Sequence, residues 1–304
     1  MLEKDTLVTG ATGLVGSSFE GLHHKVSSKD ADLRDKNQIH RYFIKHPTIK
    51  KVIHCAGKVG GVFENDSKKG EFFYDNIMIN TNLIETCRIY HIEKMVCFLS
   101  TCVFPDDCKY PLTIDQIHKG EPHHTNYAYA YAKRMVDIQI RAYREQYGLK
   151  YVSVIPCNIY GVNDNFNLHS AHVIPALIHK CYLAKKNNTF FGVCGNGEPL
   201  REFMFSEDVS KLTEWILNNY DDSEPIILST SEEIPLKDVV NMIVKEIGFD
   251  GEVRYSGNET GQLRKPSDNT KIKELLPNFR FTPIEEGIKK TVNWVCNNYS
   301  HIRK

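Results

Sequence analysis

The first half of the chain alternates short apolar runs with stretches of helical periodicity. Five apolar runs have the length and composition of strands and cover residues 6–10, 24–28, 50–56, 94–100 and 151–161. Four stretches have the periodicity of helices and cover residues 13–22, about 35–47, 72–90 and 127–147. Because the strands are apolar throughout, the alternation predicts a parallel sheet that helices cover on both faces.

After residue 161 the pattern becomes mixed. The predicted elements are a helix within 162–188, two strands around a glycine-rich turn in 189–205, an amphipathic helix over 208–220 and a strand over 224–230. A last helix has an apolar stripe formed by Ile284, Ile288, Val292 and Val295. Its start has the pattern of a capping box, with Thr282 at the N-cap, Pro283 in the first turn and Glu285 closing the box.

These patterns predict an α/β fold, a Rossmann-type doubly wound parallel sheet with a smaller C-terminal lobe. Residues 1–161 would form the sheet domain, and elements from about 200–230 would return to it. Residues 162–199 and 231–304 would mainly form the lobe. A lobe above the carboxyl edge of such a sheet is where a ligand crevice forms.

Composition narrows the possible classes of function. Lysine plus arginine balance aspartate plus glutamate at 38 each, so no overall field favours nucleic acid or a membrane surface. The nine cysteines contain no CxxC pair, which predicts neither a disulfide framework nor a metal site. We expect no secretory leader and no membrane span, and hence a reduced, cytoplasmic protein.

The segment TLVTGATGLVG places three glycines, Gly10, Gly13 and Gly16, between the first strand and the first helix. Glycines at this point permit a tight turn and let a pyrophosphate approach the helix N-terminus. The spacing is GxxGxxG rather than GxGxxG, but its place after an N-terminal strand predicts nucleotide binding.

The residues after the second strand, SSKDADLRD, bear on which dinucleotide binds. Asp30 stands where an acidic side chain would bind the ribose 2′-hydroxyl of NAD. Lys29 and Arg34 could instead bind the 2′-phosphate of NADP. The residues by themselves leave both cofactors open.

Two further motifs could supply redox and proton chemistry. In YAYAK, Tyr129 and Lys133 lie four apart on one helical face, and a nearby ammonium would lower the pKa of the phenol. Such a tyrosine can exchange a proton as a hydride moves, and Ser100 at the preceding strand tip could bond the same carbonyl oxygen. In LSTCVFP, Cys102 follows Ser100 by two positions. An extended segment would send both side chains to one side, although a free cysteine can also be simple core packing.

The whole chain resembles the extended short-chain dehydrogenase/reductase family, and within it the epimerase-reductases that act on a GDP-4-keto sugar. The resemblance is carried by VTGATGLVG, SSKDADL, VIHCAGKVGG, LSTCVFP, YAYAKRM, CNIYGVNDNFN, HVIPALIHK, GNGEPLREF and FRFTP. It implies that GDP-4-keto-6-deoxy-D-mannose is epimerised at C3 and C5 and then reduced at C4 by NADPH, giving GDP-L-fucose. It also implies a homodimer, for which the helices around 72–90 and 127–147 are candidates.

The resemblance also implies roles for individual residues. Cys102 would be the base, His172 the acid that returns the proton, and Ser100, Tyr129 and Lys133 the triad at the C4 oxygen. Cofactor contacts would come from Gly10, Gly13, Gly16, Lys29, Tyr129, Lys133, Pro156, Asn158 and His172. Substrate contacts would come from Asn165, Lys180, Arg201 and Lys265.

Two positions depart from the family pattern. Lys180 stands where some members have an arginine, so a single ammonium would face the substrate diphosphate in place of a bidentate guanidinium. Cys194 stands where a tryptophan is expected beside a glycine turn. Both departures could weaken substrate binding.

Two other functions remain open at this stage. One is another sugar-nucleotide epimerase or 4,6-dehydratase of the same fold, which would recycle its cofactor within a turnover. The other is a regulatory protein that binds NADP without catalysis, which the intact set of predicted catalytic residues disfavours. Consumption of the cofactor in the presence of substrate would separate the three.

Overall fold

A computed structural model describes residues 1–21, 23–257 and 263–304. The strands within these ranges are β1 (Thr6–Thr9), β2 (His24–Val26), β3 (Lys51–His54), β4 (Lys94–Phe98), β5 (Lys150–Pro156), β6 (Asn158–Tyr160), β7 (Phe191–Cys194), β8 (Leu200–Phe205), β9 (Ile226–Leu228), β10 (Glu233–Pro235) and β11 (Val253–Ser256). The α-helices are α1 (Lys36–Lys45), α2 (Val62–Ser67), α3 (Lys69–Ile89), α4 (Tyr127–Tyr147), α5 (Val173–Asn187), α6 (Ser206–Asn219), α7 (Leu236–Ile247), α8 (Thr270–Leu275) and α9 (Ile284–Asn298). Short 3₁₀ helices occur at Gly16–Ser18, Thr101–Val103 and Ile114–Gln116.

Six parallel strands form the main sheet in the order β2-β1-β3-β4-β5-β9. Successive side chains point to opposite faces, so Leu7 and Val52 enter the core shared with α1, α3 and α4. Val8 and Ile53 enter the opposite core, which contains α6. Helices therefore cover both faces, and the predicted doubly wound parallel sheet is confirmed.

The strand order reverses between β1 and β3, and ligands bind such sheets outside the carboxyl ends at this point. Gly10 follows β1 directly and has a φ of +65°, which favours glycine. A Cβ on Gly10 would lie 2.9 Å from the Ala56 backbone after β3. The absence of a side chain thus lets the two segments close the floor of a cleft.

The second half of the chain builds a separate core around α5, α7 and α9. Phe191 and Phe203 are buried there with apolar side chains of all three helices. The strands of this region form a three-stranded sheet, β10-β8-β6, and a pair, β11-β7. Strand β8 pairs in the three-stranded sheet, whereas helix α6 and strand β9 return to the main sheet. Helix α8 also packs there through Ile272, although its residues were expected mainly in the lobe.

Two local predictions are wrong. The segment 13–22 forms only the 3₁₀ turn Gly16–Ser18 up to Phe19, which is extended, and Leu22 lies outside the described residues. The single strand predicted over 151–161 is two strands in different sheets. The Cys157 N–H still donates to the Leu228 carbonyl of β9, and the chain then leaves the main sheet, so that β6 pairs with β8. Helices α2, α7 and α8 and strands β10 and β11 were not predicted.

The predicted capping box of the last helix is also wrong, although the helix and its apolar stripe are confirmed. Pro283 is the N-cap of α9, and no side chain caps it. Instead the backbone N–H and the hydroxyl of Thr282 donate to the Asp208 carboxylate at 2.6 and 3.0 Å. A buried acceptor from α6 therefore takes the hydrogen bonds that a local cap would have used.

No helix in the described part of the chain is long and apolar enough to cross a membrane.

Candidate active site

A cavity of about 720 Å³ opens at the carboxyl ends of the main-sheet strands. Eleven of the predicted site residues line it, namely Gly10, Gly13, Gly16, Ser100, Cys102, Tyr129, Lys133, Pro156, Asn158, Asn165 and His172. Four others, Lys29, Lys180, Arg201 and Lys265, are not part of its lining. The structure thus places all the predicted catalytic residues around one cavity and leaves four predicted binding residues outside its lining.

Tyr129 and Lys133 lie one turn apart on α4 and are both buried. The Lys133 ammonium donates to the Phe98 carbonyl at 2.9 Å and lies 5.9 Å from the centre of the Tyr129 ring. Burial lowers the pKa of Lys133 to about 8. Burial and then the neighbouring Cys102 raise the pKa of Tyr129, while a hydrogen bond from Ser100 opposes the rise. The expectation that lysine lowers this pKa is wrong here, because desolvation of the phenolate outweighs the distant ammonium.

Cys102 reaches the cavity from a 3₁₀ turn rather than from an extended strand. The strand β4 ends at Phe98, and the Ser100 hydroxyl accepts the Cys102 backbone N–H at 3.3 Å, which caps the turn. The prediction that an extended segment carries Ser100 and Cys102 is therefore wrong, yet both residues line the cavity. The Asn126 amide donates to the Cys102 sulfur at 3.2 Å and orients it.

His172 lies at the N-cap of α5 and faces the cavity. Desolvation lowers the pKa of its imidazole, although the residue is exposed at the cavity. The loop before it is held against the sheet side of the cavity, since the Gly61 N–H donates to the Ser170 carbonyl at 2.9 Å. An acid-base side chain from the C-terminal half thus faces the same space as Cys102 and Tyr129.

The residues after β2 lie at the edge of the cavity. Asp30 accepts the Ser27 backbone N–H at 2.8 Å and the Ser27 hydroxyl at 2.7 Å, so its carboxylate closes its own turn. Lys29 is exposed outside the lining. Arg34 does line the cavity, bridging Asp32 at 2.8 Å and Asp75 at 3.1 Å. Arg34 is therefore the basic side chain that this segment presents to a ligand.

The predicted substrate residues outside the cavity form two groups. The Lys180 ammonium lies 3.8 Å from the Cys194 sulfur, so the two departures from the family pattern touch each other. The Arg201 guanidinium donates to the Leu200 carbonyl at 2.7 Å. Its other neighbour, the Leu263 carbonyl at 3.5 Å, belongs to the wall of a smaller cleft of about 380 Å³. Lys265 follows two residues later in the chain.

Sequence reasoning missed several residues that shape the site. Asn126 could have been suspected, since it directly precedes the helix that carries Tyr129. Asp164 and Arg303 line the cavity, and a residue next to the C-terminus has no local signal for that position.

A buried polar network under the glycine-rich turn was also missed. His54 Nδ1 lies 2.8 Å from the Thr9 hydroxyl, and its Nε2 lies 2.9 Å from the Asn80 amide oxygen. The Thr9 hydroxyl accepts the Ala56 N–H at 3.2 Å, which places Nε2 of His54 as the donor and Nδ1 as the acceptor. Burial lowers the pKa of His54 to about 3, so the ring is neutral and joins β1 to β3.

Among the described residues, no group of three or more histidine, cysteine, aspartate or glutamate side chains is arranged to hold a metal ion.

Comparison with known proteins gives consistent results. Residues 6–229 match the NAD dependent epimerase/dehydratase family. The chain is 44% identical to a GDP-L-fucose synthase from Dictyostelium discoideum, over 99% of this chain and 98% of that one. It is 39% identical to a probable GDP-L-fucose synthase from Drosophila melanogaster, over 99% and 100%. Its fold matches the crystal structure of a GDP-L-fucose synthetase from Naegleria fowleri bound to NADP, with a TM-score of 0.94 and 41% identity over 100% and 96%.

Proposed function

Because this chain belongs to the NAD-dependent epimerase/dehydratase family, and within it to the group of the GDP-L-fucose synthases, we propose that it converts GDP-4-keto-6-deoxy-D-mannose to GDP-L-fucose with NADPH. The conversion joins epimerisation at C3 and C5 to reduction of the C4 ketone. The observation that carries the proposal is a single cavity that holds the glycine-rich turn together with Ser100, Cys102, Tyr129 and His172.

The cavity fits a dinucleotide. A Cβ at Gly10 would meet the Ala56 backbone, and one at Gly16 would overlap the Gly10 carbonyl, so only glycine lets the turn close this tightly. A tight glycine turn of this kind lets a pyrophosphate approach the backbone closely. Arg34 at the cavity edge suits a 2′-phosphate, and this supports NADPH over NADH. When bound, NADPH supplies the hydride for C4. Pro156 and Asn158 would hold the reacting end of the cofactor beside Tyr129.

The reduction needs a proton at the C4 oxygen. The raised pKa of Tyr129 keeps its hydroxyl protonated at neutral pH, so it can donate. Ser100 would hold the same oxygen and polarise the carbonyl. Lys133 keeps most of its charge at neutral pH, and that charge favours the phenolate that remains after proton transfer.

The epimerisation uses the same ketone. Protons at C3 and C5 are acidic because they flank C4, and hydrogen bonds from Ser100 and Tyr129 to the oxygen stabilise the negative charge that develops. Cys102, oriented by Asn126, would remove the proton. His172 would return a proton from the other side, and its lowered pKa makes its imidazolium a readier acid.

We assign the nucleotide-sugar to the space between the sheet edge and the second core. Residues 1–161, with those returning from about 200–230, would hold the dinucleotide, and the remaining residues would mainly form the substrate lobe. Within that lobe Asn165, Lys180, Arg201 and Lys265 would contact the substrate. Arg201 supports this arrangement, since its guanidinium lies beside the smaller cleft and can pair with a diphosphate. The lining of that cleft itself combines Arg264 with two acidic residues, Asp106 and Asp107.

We also propose that the chain is a cytoplasmic homodimer. Helices α3 and α4 pack side by side and leave Phe73, Tyr74, Met135 and Ile138 exposed. An exposed apolar face on a helix pair fits a four-helix interface with a second copy. All nine cysteines are free thiols, which suits a reducing compartment.

The first experiment is product analysis by mass spectrometry after incubation with GDP-4-keto-6-deoxy-D-mannose and NADPH in deuterated water. Two carbon-bound deuterons in a GDP-fucose product, with NADPH consumed, are expected. Consumption of NADPH without carbon-bound deuterium would leave only a 4-keto reductase. Exchange without net consumption would point to an epimerase, and binding of NADPH with neither outcome would point to a regulatory protein.

Substitution of Cys102 tests the base directly. Cys102→Ser is expected to lower deuterium uptake at C3 and C5 by at least about 100-fold, because a hydroxyl is a far weaker base. Binding of NADPH, followed by its fluorescence, should stay unchanged. Cys108→Ser is the matched control, a half-buried thiol of the same segment that does not line the cavity. Normal exchange at both carbons in Cys102→Ser would remove this cysteine from the mechanism.

A further inference from the structure

Asp164 is a buried carboxylate in the cavity wall that no step above uses. The residue is part of the cavity lining and is only 4% exposed. Its Oδ1 accepts the Asn165 backbone N–H at 2.7 Å, whereas its Oδ2 is buried without any hydrogen-bond partner. An unpartnered buried oxygen costs free energy, so such a group in a binding cavity points to a ligand that completes it.

The loop that carries Asp164 lies against the end of the glycine-rich turn. The Asn163 amide donates to the Ser17 hydroxyl at 3.3 Å, and the Ser17 N–H donates to the Gly13 carbonyl at 2.9 Å. The pyrophosphate of a dinucleotide would lie at this turn. Asp164 is therefore placed beside the most negatively charged part of the expected ligand.

The charges around Asp164 are few. Arg303 is the charged group that acts on it, and the Arg303 guanidinium itself donates to the Asn163 carbonyl at 2.5 Å. The glycine-rich turn from residue 10 to 18 contains no titratable side chain, and His172 begins the helix at the other end of the same loop. The other ionisable side chains of the cavity are Asp32, Arg34, Cys55, Lys58, Asp75, Cys102, Tyr129, Lys133 and Cys157.

The protonation state of Asp164 decides what it can do. Burial raises its pKa to about 7, and the Asn165 N–H and Arg303 only partly oppose this. Ionised, it would repel a phosphate, while protonated it offers one O–H donor at the otherwise unsatisfied oxygen. Near neutral pH the Asp164 side chain can therefore be either ionised or protonated.

Resting on the proposed function, we propose that Asp164 is a dinucleotide-binding residue that acts as a neutral carboxylic acid, with its protonated Oδ2 donating a hydrogen bond to a phosphate oxygen. The proton comes from solvent as the ligand binds. Cofactor binding is then linked to proton uptake. Above pH 7 the affinity falls with rising pH, by up to tenfold per pH unit, because the free protein must first take up the proton.

The test is titration calorimetry of the full chain with NADP⁺ at pH 6 and pH 8, in buffers of different ionisation heat that report proton uptake. The wild type is compared with Asp164→Asn, which has the same shape, keeps an acceptor for the Asn165 N–H and carries a permanent donor. Asp222→Asn is the matched control, an exposed acid outside the cavity. Because Lys133 also titrates near pH 8, the protons taken up on binding are counted for both the wild type and Asp164→Asn. The difference between the two counts is assigned to Asp164.

At pH 8 the wild type should take up close to one proton more than Asp164→Asn, and the variant should bind NADP⁺ about tenfold more tightly. At pH 6 their affinities should match. Equal proton counts and affinities at both values would overturn the inference alone, as would a variant that binds more weakly at every pH. Asp164→Ser, which also carries a neutral donor, repeats the comparison should the asparagine variant fold poorly. A wild type that binds no NADP⁺ would overturn the proposed function and the inference together.

Discussion

At the scale of single residues, several buried polar groups find hydrogen-bond partners far away in the chain. Thr9 is the clearest case, since its hydroxyl accepts the Ala56 N–H and also bonds Nδ1 of His54. The other ring nitrogen of His54 bonds the Asn80 amide oxygen. All of these lie beneath the turn that contacts the cavity. The network therefore holds the ends of β1 and β3 in register at the point where the cavity begins.

Replacing Thr9 by valine keeps the shape of the side chain but removes the hydroxyl. The Ala56 N–H and His54 Nδ1 would then be buried without partners, which should lower the free energy of unfolding by about 2–4 kcal/mol. Chemical denaturation measures the change. Thr189→Val at an exposed position should change stability by less than about 0.5 kcal/mol. An equally small effect at Thr9 would mean that water replaces the lost hydroxyl.

At the scale of elements, the last helix is attached by side chains rather than by a cap of its own. Asp208, near the start of α6, is buried and accepts both Thr282 donors. Within α9, a Cβ on Gly287 would overlap the Tyr160 hydroxyl, which donates to the Ile284 carbonyl at 3.3 Å. The helix thus joins the second core to the main-sheet side through specific short contacts.

Loss of the Asp208 carboxylate should weaken this attachment. Asp208→Ala removes a buried acceptor for two half-buried donors, and we expect a loss of about 1–3 kcal/mol and a melting temperature several degrees lower. Circular dichroism during heating measures it. Glu145→Ala, at an exposed position of α4, is the control and should be nearly neutral. Similar melting of the two variants would contradict a role for the Thr282–Asp208 pair.

At the scale of the whole molecule, α4 has two apolar faces with different tasks. Val136 and Ile140 are buried against the sheet. Met135 and Ile138 are 39% and 43% exposed on the other side. A monomer gains nothing from the second face, and this supports the proposed dimer.

A charge on that face should separate the two copies. Ile138→Glu is expected to convert a dimer to a folded monomer, because an ionised carboxylate cannot be buried against apolar side chains without a large cost. Light scattering after gel filtration measures the mass. Ile44→Glu on α1, at a position 65% exposed, should leave the mass unchanged. A monomeric wild type would refute the dimer, and an unchanged mass for Ile138→Glu would move the interface elsewhere.

The sequence by itself determined the order of strands and helices of the main sheet, the glycine-rich turn and the pairing of Tyr129 with Lys133. These features follow from short-range patterns, since the apolar period selects strand or helix and a spacing of four selects one helical face. The motifs around Ser100, Cys102 and His172 also predicted the gathering of these residues in one cavity.

Only the tertiary structure decided how these groups are held and tuned. Segments remote in sequence decide where the strand breaks at Cys157 and which residue binds Thr282. They also decide which turn carries Cys102 and that Arg34 rather than Lys29 lines the cavity. The raised pKa values of Tyr129 and Asp164 have the same origin. Burial is a property of the folded whole, and desolvation there outweighs the local charges that a sequence displays.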